Sequence, residues 1–157
     1  MRHAKHQFQL GVKKEHRLSL LAGLSAALFR HGSIRTTLAK AKALRQFAEK
    51  IITMSRKAAL AELPENKLHY RRMATARVRD HEAVKILFDE RAESFLARPG
   101  GYVRIFKLVP RNSDSAKMAF VELVAADDRG HRRRSSGRKG SPKKDVKVAA
   151  QPVDSQL

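Results

Sequence analysis

Cysteine is absent from the 157 residues, and so is tryptophan. The first absence excludes disulfides and thiolate metal sites. The second, with aromatics at only 6% of the chain, removes the bulky anchors that membrane-surface helices commonly use. Acidic residues are scarce: 15 Asp and Glu stand against 34 Lys and Arg, giving a net charge of +19. No run approaches the roughly 20 apolar residues of a membrane span. The basic start is not followed by an apolar stretch of signal-peptide length, and Met1-Arg2-His3 offers no glycine for myristoylation. The chain is expected to be soluble and cytosolic, with no membrane partner.

Catalytic constellations are missing too. The seven histidines (His3, His6, His16, His31, His69, His81, His131) include no pair at zinc-helix spacing. His3 and His6 alone make a weak metal site. Asp80 with Glu82, and Asp89, Glu90 and Glu93, fall on helical segments among Arg and Lys. Capping and ion pairing are their expected roles, rather than gathering around a metal. Gly100-Gly101 opens no helix with a following Lys-Ser/Thr, so it is no phosphate-loop fingerprint, although its bare backbone would admit a close phosphate. No enzyme activity, cofactor, metal or small-molecule substrate is expected.

What the chain has is positive charge. A body so basic repels itself, and a polyanion relieves that repulsion; nucleic acid does so with counterion release as an added driving force. The composition changes near Asp127. Residues 127–157 hold Val146, Val148, Val153 and Leu157 as their only large apolar side chains, and carry a net +5. Such a segment cannot bury enough surface to offset its ordering entropy, so 127–157 reads as a disordered basic tail that adds non-specific affinity. The remaining 1–126 form one domain with a net +14.

Residues 1–14 lack periodicity and form an extended basic arm containing Arg2, His3, Lys5, His6, Lys13 and Lys14. Leu18, Leu21, Leu24, Ala27 and Leu28 then recur at helical spacing over about 15–31, with Gly32 as the stop. Ser33-Ile34-Arg35-Thr36 has the β-branched character of a short strand. Leu38, Ala41, Leu44, Ala48, Ile51, Ile52 and Ser55 stripe a second helix over about 38–58, with Thr37 placed to cap it. A third helix over 66–78, a fourth capped by Asp80, and a hairpin from alternating residues 102–109 and Met118–Val124 follow. The fold class is α/β (α+β): about four helices with a small mixed three-stranded sheet, one early strand plus the C-terminal hairpin.

Over residues 1–45 there are ten Lys or Arg, Arg17, Arg30 and Arg35 among them, against Glu15 alone. Lys40, Lys42, Arg45 and Lys50 decorate the second helix away from its apolar stripe, with only Glu49 intervening. A merely solvated face mixes both signs, so phosphate contact is favoured. Thr36 and Thr37 add hydroxyls beside a helix N-terminus. Tyr102, between Gly101 and Arg104, is the best candidate for stacking on an unpaired base, and Arg104 joins it. Phe29, Phe47, Phe88 and Phe95 belong to the core, whereas Phe106 fits either a core or an RNA-facing position. No DNA-binding motif is present, yet a DNA-architectural protein remains the alternative to an RNA-binding one.

The chain resembles family seventeen of the bacterial large-subunit ribosomal proteins. Met1-Arg2-His3 and His16-Arg17 look like that family's start. Arg30-His31 followed by Ile34-Arg35-Thr36-Thr37-Leu38-Ala39-Lys40-Ala41-Lys42 matches its most recognisable segment. Gly100-Gly101-Tyr102-Val103-Arg104-Ile105 and Met118-Ala119-Phe120-Val121-Glu122-Leu123 repeat its hairpin. The resemblance covers about 1–125. It implies a structural protein on large-subunit rRNA beside neighbouring ribosomal proteins, near the nascent-chain exit, with no catalysis. It also extends an RNA-contact role to His16, Arg17, Arg30 and His31, besides Arg2, His3, Thr36, Thr37, Lys40 and Lys42.

Overall fold

A computed structural model of the chain describes residues 8–124. The arm residues Arg2, His3, Lys5 and His6, and the tail 127–157, lie outside the described residues. Helix α1, Lys14–His31, buries Leu21, Ala22, Ser25, Ala26, Leu28 and Phe29. Its buried face is rotated from the simple leucine stripe: Leu18 is exposed and Leu24 only partly covered, because several later elements pack against one side of the helix. Gly32 ends α1 at φ 78°, and its N–H donates to the Leu28 carbonyl at 2.8 Å. Glycine is favoured there by its backbone conformation, and a side chain would also crowd a neighbour. The left-handed conformation disfavours other residues, and a Cβ would come within 3.1 Å of the Arg91 guanidinium.

Strand β1, Ser33–Thr37, leads directly into α2, Leu38–Leu60. The α2 stripe is buried as its spacing predicts, from Ala41 and Leu44 through Ile51, Ile52 and Ser55. The Ser55 hydroxyl donates to the Leu87 carbonyl at 3.2 Å, so the polar member of the stripe is satisfied across the core. Helix α3, Pro64–Val78, starts with proline in its first turn, where no N–H is needed, and buries only Ala74 and Val78. Helix α4, His81–Lys85, continues as a π turn over Ile86–Glu90 and a 3₁₀ turn at Glu93–Phe95.

Asp80 caps α4 as expected: its Oδ1 accepts from the Ala83 N–H at 3.0 Å. Its Oδ2 also meets Arg30 at 2.5 Å, tying the end of α1 to the start of α4. Its carboxyl is held below the usual range, first by the Ala83 N–H and then by Arg30, against some desolvation. Because the folded state prefers the ionised form, this contribution is complete above the unfolded pKa and disappears as pH falls through the folded one. Asp80→Ala is expected to cost about 1–2 kcal/mol at neutral pH, as for a lost cap plus a half-exposed pair. Urea melts at pH 7 and near pH 3 check this. An equal penalty at both pH values would refute it.

The sheet holds β1, β2 (Val103–Lys107) and β3 (Met118–Leu123) in the order β1-β3-β2. Both pairings are antiparallel. The mixed sheet expected from the sequence is therefore corrected: the hairpin fixes β3 against β2, and β1 docks on the free edge of β3 in the same sense. Ile34, Thr36, Val103, Ile105, Ala119, Val121 and Leu123 share the inner face over the helices, and the alternate residues face out.

Candidate nucleic-acid interface

Helix α2 is long enough to present a whole face away from the core. Lys42, Gln46, Glu49, Lys50 and Thr53 recur on it at spacings of three, four and seven to eight. One flank of this face meets the start of α1 in a depression of about 350 Å³ lined by Phe8, Lys14, Arg17, Gln46, Phe47 and Lys50, among others. Phe8 also borders a second depression, about 510 Å³, with Thr37, Leu38, Ala39, Lys42 and Lys117. Neither is lined by a carboxylate. Together they form a band of positive charge interrupted only by apolar and neutral groups.

The N-terminus of α2 adds to this field. Thr37 occupies the cap position with extended backbone, but its side chain makes no capping bond. The Leu38 N–H donates instead to the Lys117 carbonyl at 2.8 Å. No acid sits in the first turn, while Lys40 and Lys42 lie close by. Cations at the positive end of a helix cost stability by a few tenths to about 1 kcal/mol each, and an anion bound there removes that cost. Lys117 is delivered by the hairpin loop, which Arg111 and Asp114 fasten through two contacts of 3.0 and 2.7 Å. Arg111 and the Ala116 N–H hold the Asp114 carboxyl down to about 2, so this fastening persists through neutral pH.

The remaining anticipated residues are distributed unevenly. Lys13 and His16 are exposed beside Lys14. Arg17 donates to the Gln9 carbonyl at 3.4 Å. Arg30 and His31 sit at the far end of α1, roughly 20 Å along its axis. Arg30 is engaged by Asp80 and, at 3.1 Å, by Glu82, so it braces the fold. Thr36 points inward and is buried, which corrects its assignment as an RNA-facing hydroxyl: β-alternation puts it opposite Ala119 on the core side. Arg45 is exposed on α2. Arg35 and Arg104 both lie on the outer sheet face.

Tyr102 is also corrected. It precedes β2 and is 1% exposed, its ring set edge-on against Phe95 with centroids 5.4 Å apart. It cannot stack on a base; the Gly100-Gly101 turn tucks it into the core. Its hydroxyl is buried and meets no partner among the described residues. An unpaired buried hydroxyl carries a desolvation penalty, so Tyr102→Phe is expected to leave the melting temperature unchanged or raise it, with RNA affinity unaltered. A loss of affinity without a loss of stability would restore the stacking role. Glu49 lines the depression beside Gly100 and Tyr102. Burial raises its carboxyl pKa, partly offset by Arg45. A carboxylate there makes this side of α2 the poorer seat for phosphate. The sequence placed Lys50 on this face but missed Lys117. Helical spacing from Lys42 identifies Lys50, whereas no local signal gives Lys117.

Among the described residues no group of His, Asp or Glu could hold a metal, and no helix is long and apolar enough to cross a membrane. Fold and surface thus define a small, strongly basic α+β protein whose prominent feature is an open cationic face. Residues 20–124 match the family described as Ribosomal protein L17. A protein of Opitutus terrae named large ribosomal subunit protein bL17 is 51% identical over 142 residues, 90% of this chain and 82% of the relative. The bL17 proteins of Methylacidiphilum infernorum and Erythrobacter litoralis are 45% and 44% identical, covering 78% and 82% of this chain and 87% and 86% of their own. The chain belongs to the ribosomal protein L17 family, a family of structural ribosomal components and not of enzymes.

Proposed function

We propose that this protein is a structural constituent of the large ribosomal subunit in the cytoplasm, binding large-subunit rRNA by phosphate and shape recognition near the nascent-chain exit. The α1–α2 face is the principal contact, and neighbouring ribosomal proteins are its further partners. The observation that carries this reading is the pair of carboxylate-free depressions around α2, with cations crowded at a helix terminus whose cap is unmade. An isolated fold has no use for that arrangement; a polyanion does. The family relationship supports the ribosomal setting, and the named relatives support the large subunit.

Sedimentation of a cell lysate on a sucrose gradient, followed by a high-salt wash, tests the proposal. Stoichiometric recovery in the large-subunit peak is expected, along with higher affinity for folded large-subunit rRNA than for duplex DNA at physiological salt. Recovery at the top of the gradient, or equal affinity for DNA, would overturn it.

A further inference from the structure

The outer face of the sheet carries chemistry that the α1–α2 face does not. Phe120, on the central strand, is flanked in register by Phe106 on one side and Arg35 on the other. Phe106 is 47% exposed, and the two phenyl rings lie 6.5 Å apart, tilted by 40°. Outward positions of a half-covered antiparallel sheet are ordinarily polar, so an outward aromatic pair here, Phe106 exposed and Phe120 half-buried, points to a ligand. Thr37 and Met118 extend the same face toward the depression that holds Lys42 and Lys117. The face has one carboxylate among the described residues, Glu122, in register with Arg104 at the end away from Lys42.

We infer that this face is a stacking platform for one or two unpaired RNA bases, with the attached phosphates directed to Lys42 and Lys117. Charge decides between occupants. An apolar protein surface would cover the rings but strand Arg35 and the lysines without counter-charge. A nucleotide places a π-face on the rings and an anion on the cations in one ligand, and any base will serve. The inference rests on the RNA-binding reading and adds to it a location and a preference for single strands.

The test uses the full chain with a labelled single-stranded RNA decamer and a blunt RNA duplex of the same length, read by fluorescence anisotropy. Phe106→Leu with Phe120→Leu removes both rings and keeps the apolar bulk. The double variant is expected to bind the single strand roughly 10- to 100-fold more weakly, and the duplex within about twofold of the original. An independent arm uses the unaltered protein: a 4-thiouridine decamer should cross-link, on irradiation, to the peptides containing Phe106 or Phe120. Unchanged single-strand affinity, or cross-links confined to α1 and α2, would overturn the platform while leaving rRNA binding intact. Failure of the unaltered protein to bind any RNA would overturn the underlying reading as well. A double variant that binds RNA normally yet is lost from the subunit would assign the face to a protein neighbour and overturn the inference.

Discussion

Replacing Lys14, Arg17, Lys42 and Lys50 together by Gln is expected to weaken binding to large-subunit rRNA by roughly 100- to 1,000-fold at ~150 mM salt. The four cations line the two depressions beside α2; Lys14, Lys42 and Lys50 are exposed and Arg17 is half-buried. Each neutralised phosphate releases close to one condensed counterion, so the plot of log affinity against log salt should flatten by roughly 3 units. Folding should be unaffected, since removing Lys42 near the positive end of α2 relieves an unfavourable interaction. Filter binding from 50 to 400 mM salt would measure both quantities. An undiminished salt slope would show that phosphates are met elsewhere. A loss of affinity with no change in slope would implicate packing of the side-chain stems instead.

The largest effect on stability should come from Phe29→Ala. Phe29 is 0% exposed and lies on α1 within the core cluster that α2, α4 and the sheet share. Truncating a buried phenylalanine removes its transfer free energy and leaves a cavity, typically costing about 3–5 kcal/mol. Domains of this size have only about 5–15 kcal/mol in total. The melting temperature followed by circular dichroism should therefore fall by roughly 15–25 °C. A shift below ~5 °C would mean that the site collapses around the gap or that the ring is not enclosed. Incorporation into the subunit should fall in step with the folded fraction and recover at lower growth temperature, which separates this variant from the four-cation one.

Much of the fold was legible along the chain because its signals are local. The α2 stripe from Ala41 to Ser55, the stop at Gly32, the cap at Asp80 and the alternation through Val103–Lys107 each depend on residues a few positions apart. Strand pairing carries no such signature. That β3 would take the centre and β1 its free edge followed from how four helices return the chain, and antiparallel pairing throughout came with it.

The candidate site divides along the same line. Charge density over residues 1–45 and the helical spacing of Lys42 with Lys50 identified the cationic face before any coordinates. Thr36 was misplaced because one residue of register in a strand reverses its face. Tyr102 was misplaced because a turn before β2, rather than the strand's own alternation, aims its ring at Phe95. Arg30 read as a free cation until Asp80, fifty residues later, came within 2.5 Å.

The sequence by itself determined the family, the helices and the bulk of the positive charge, since composition and short-range periodicity survive without folding. The tertiary structure alone decided which cations share a face and which are consumed in ion pairs. It also decided that Lys117 reaches α2 and that Phe106, Phe120 and Arg35 line up across three strands. Those relations join residues dozens of positions apart, and only the packing of the chain against itself specifies the distances between them.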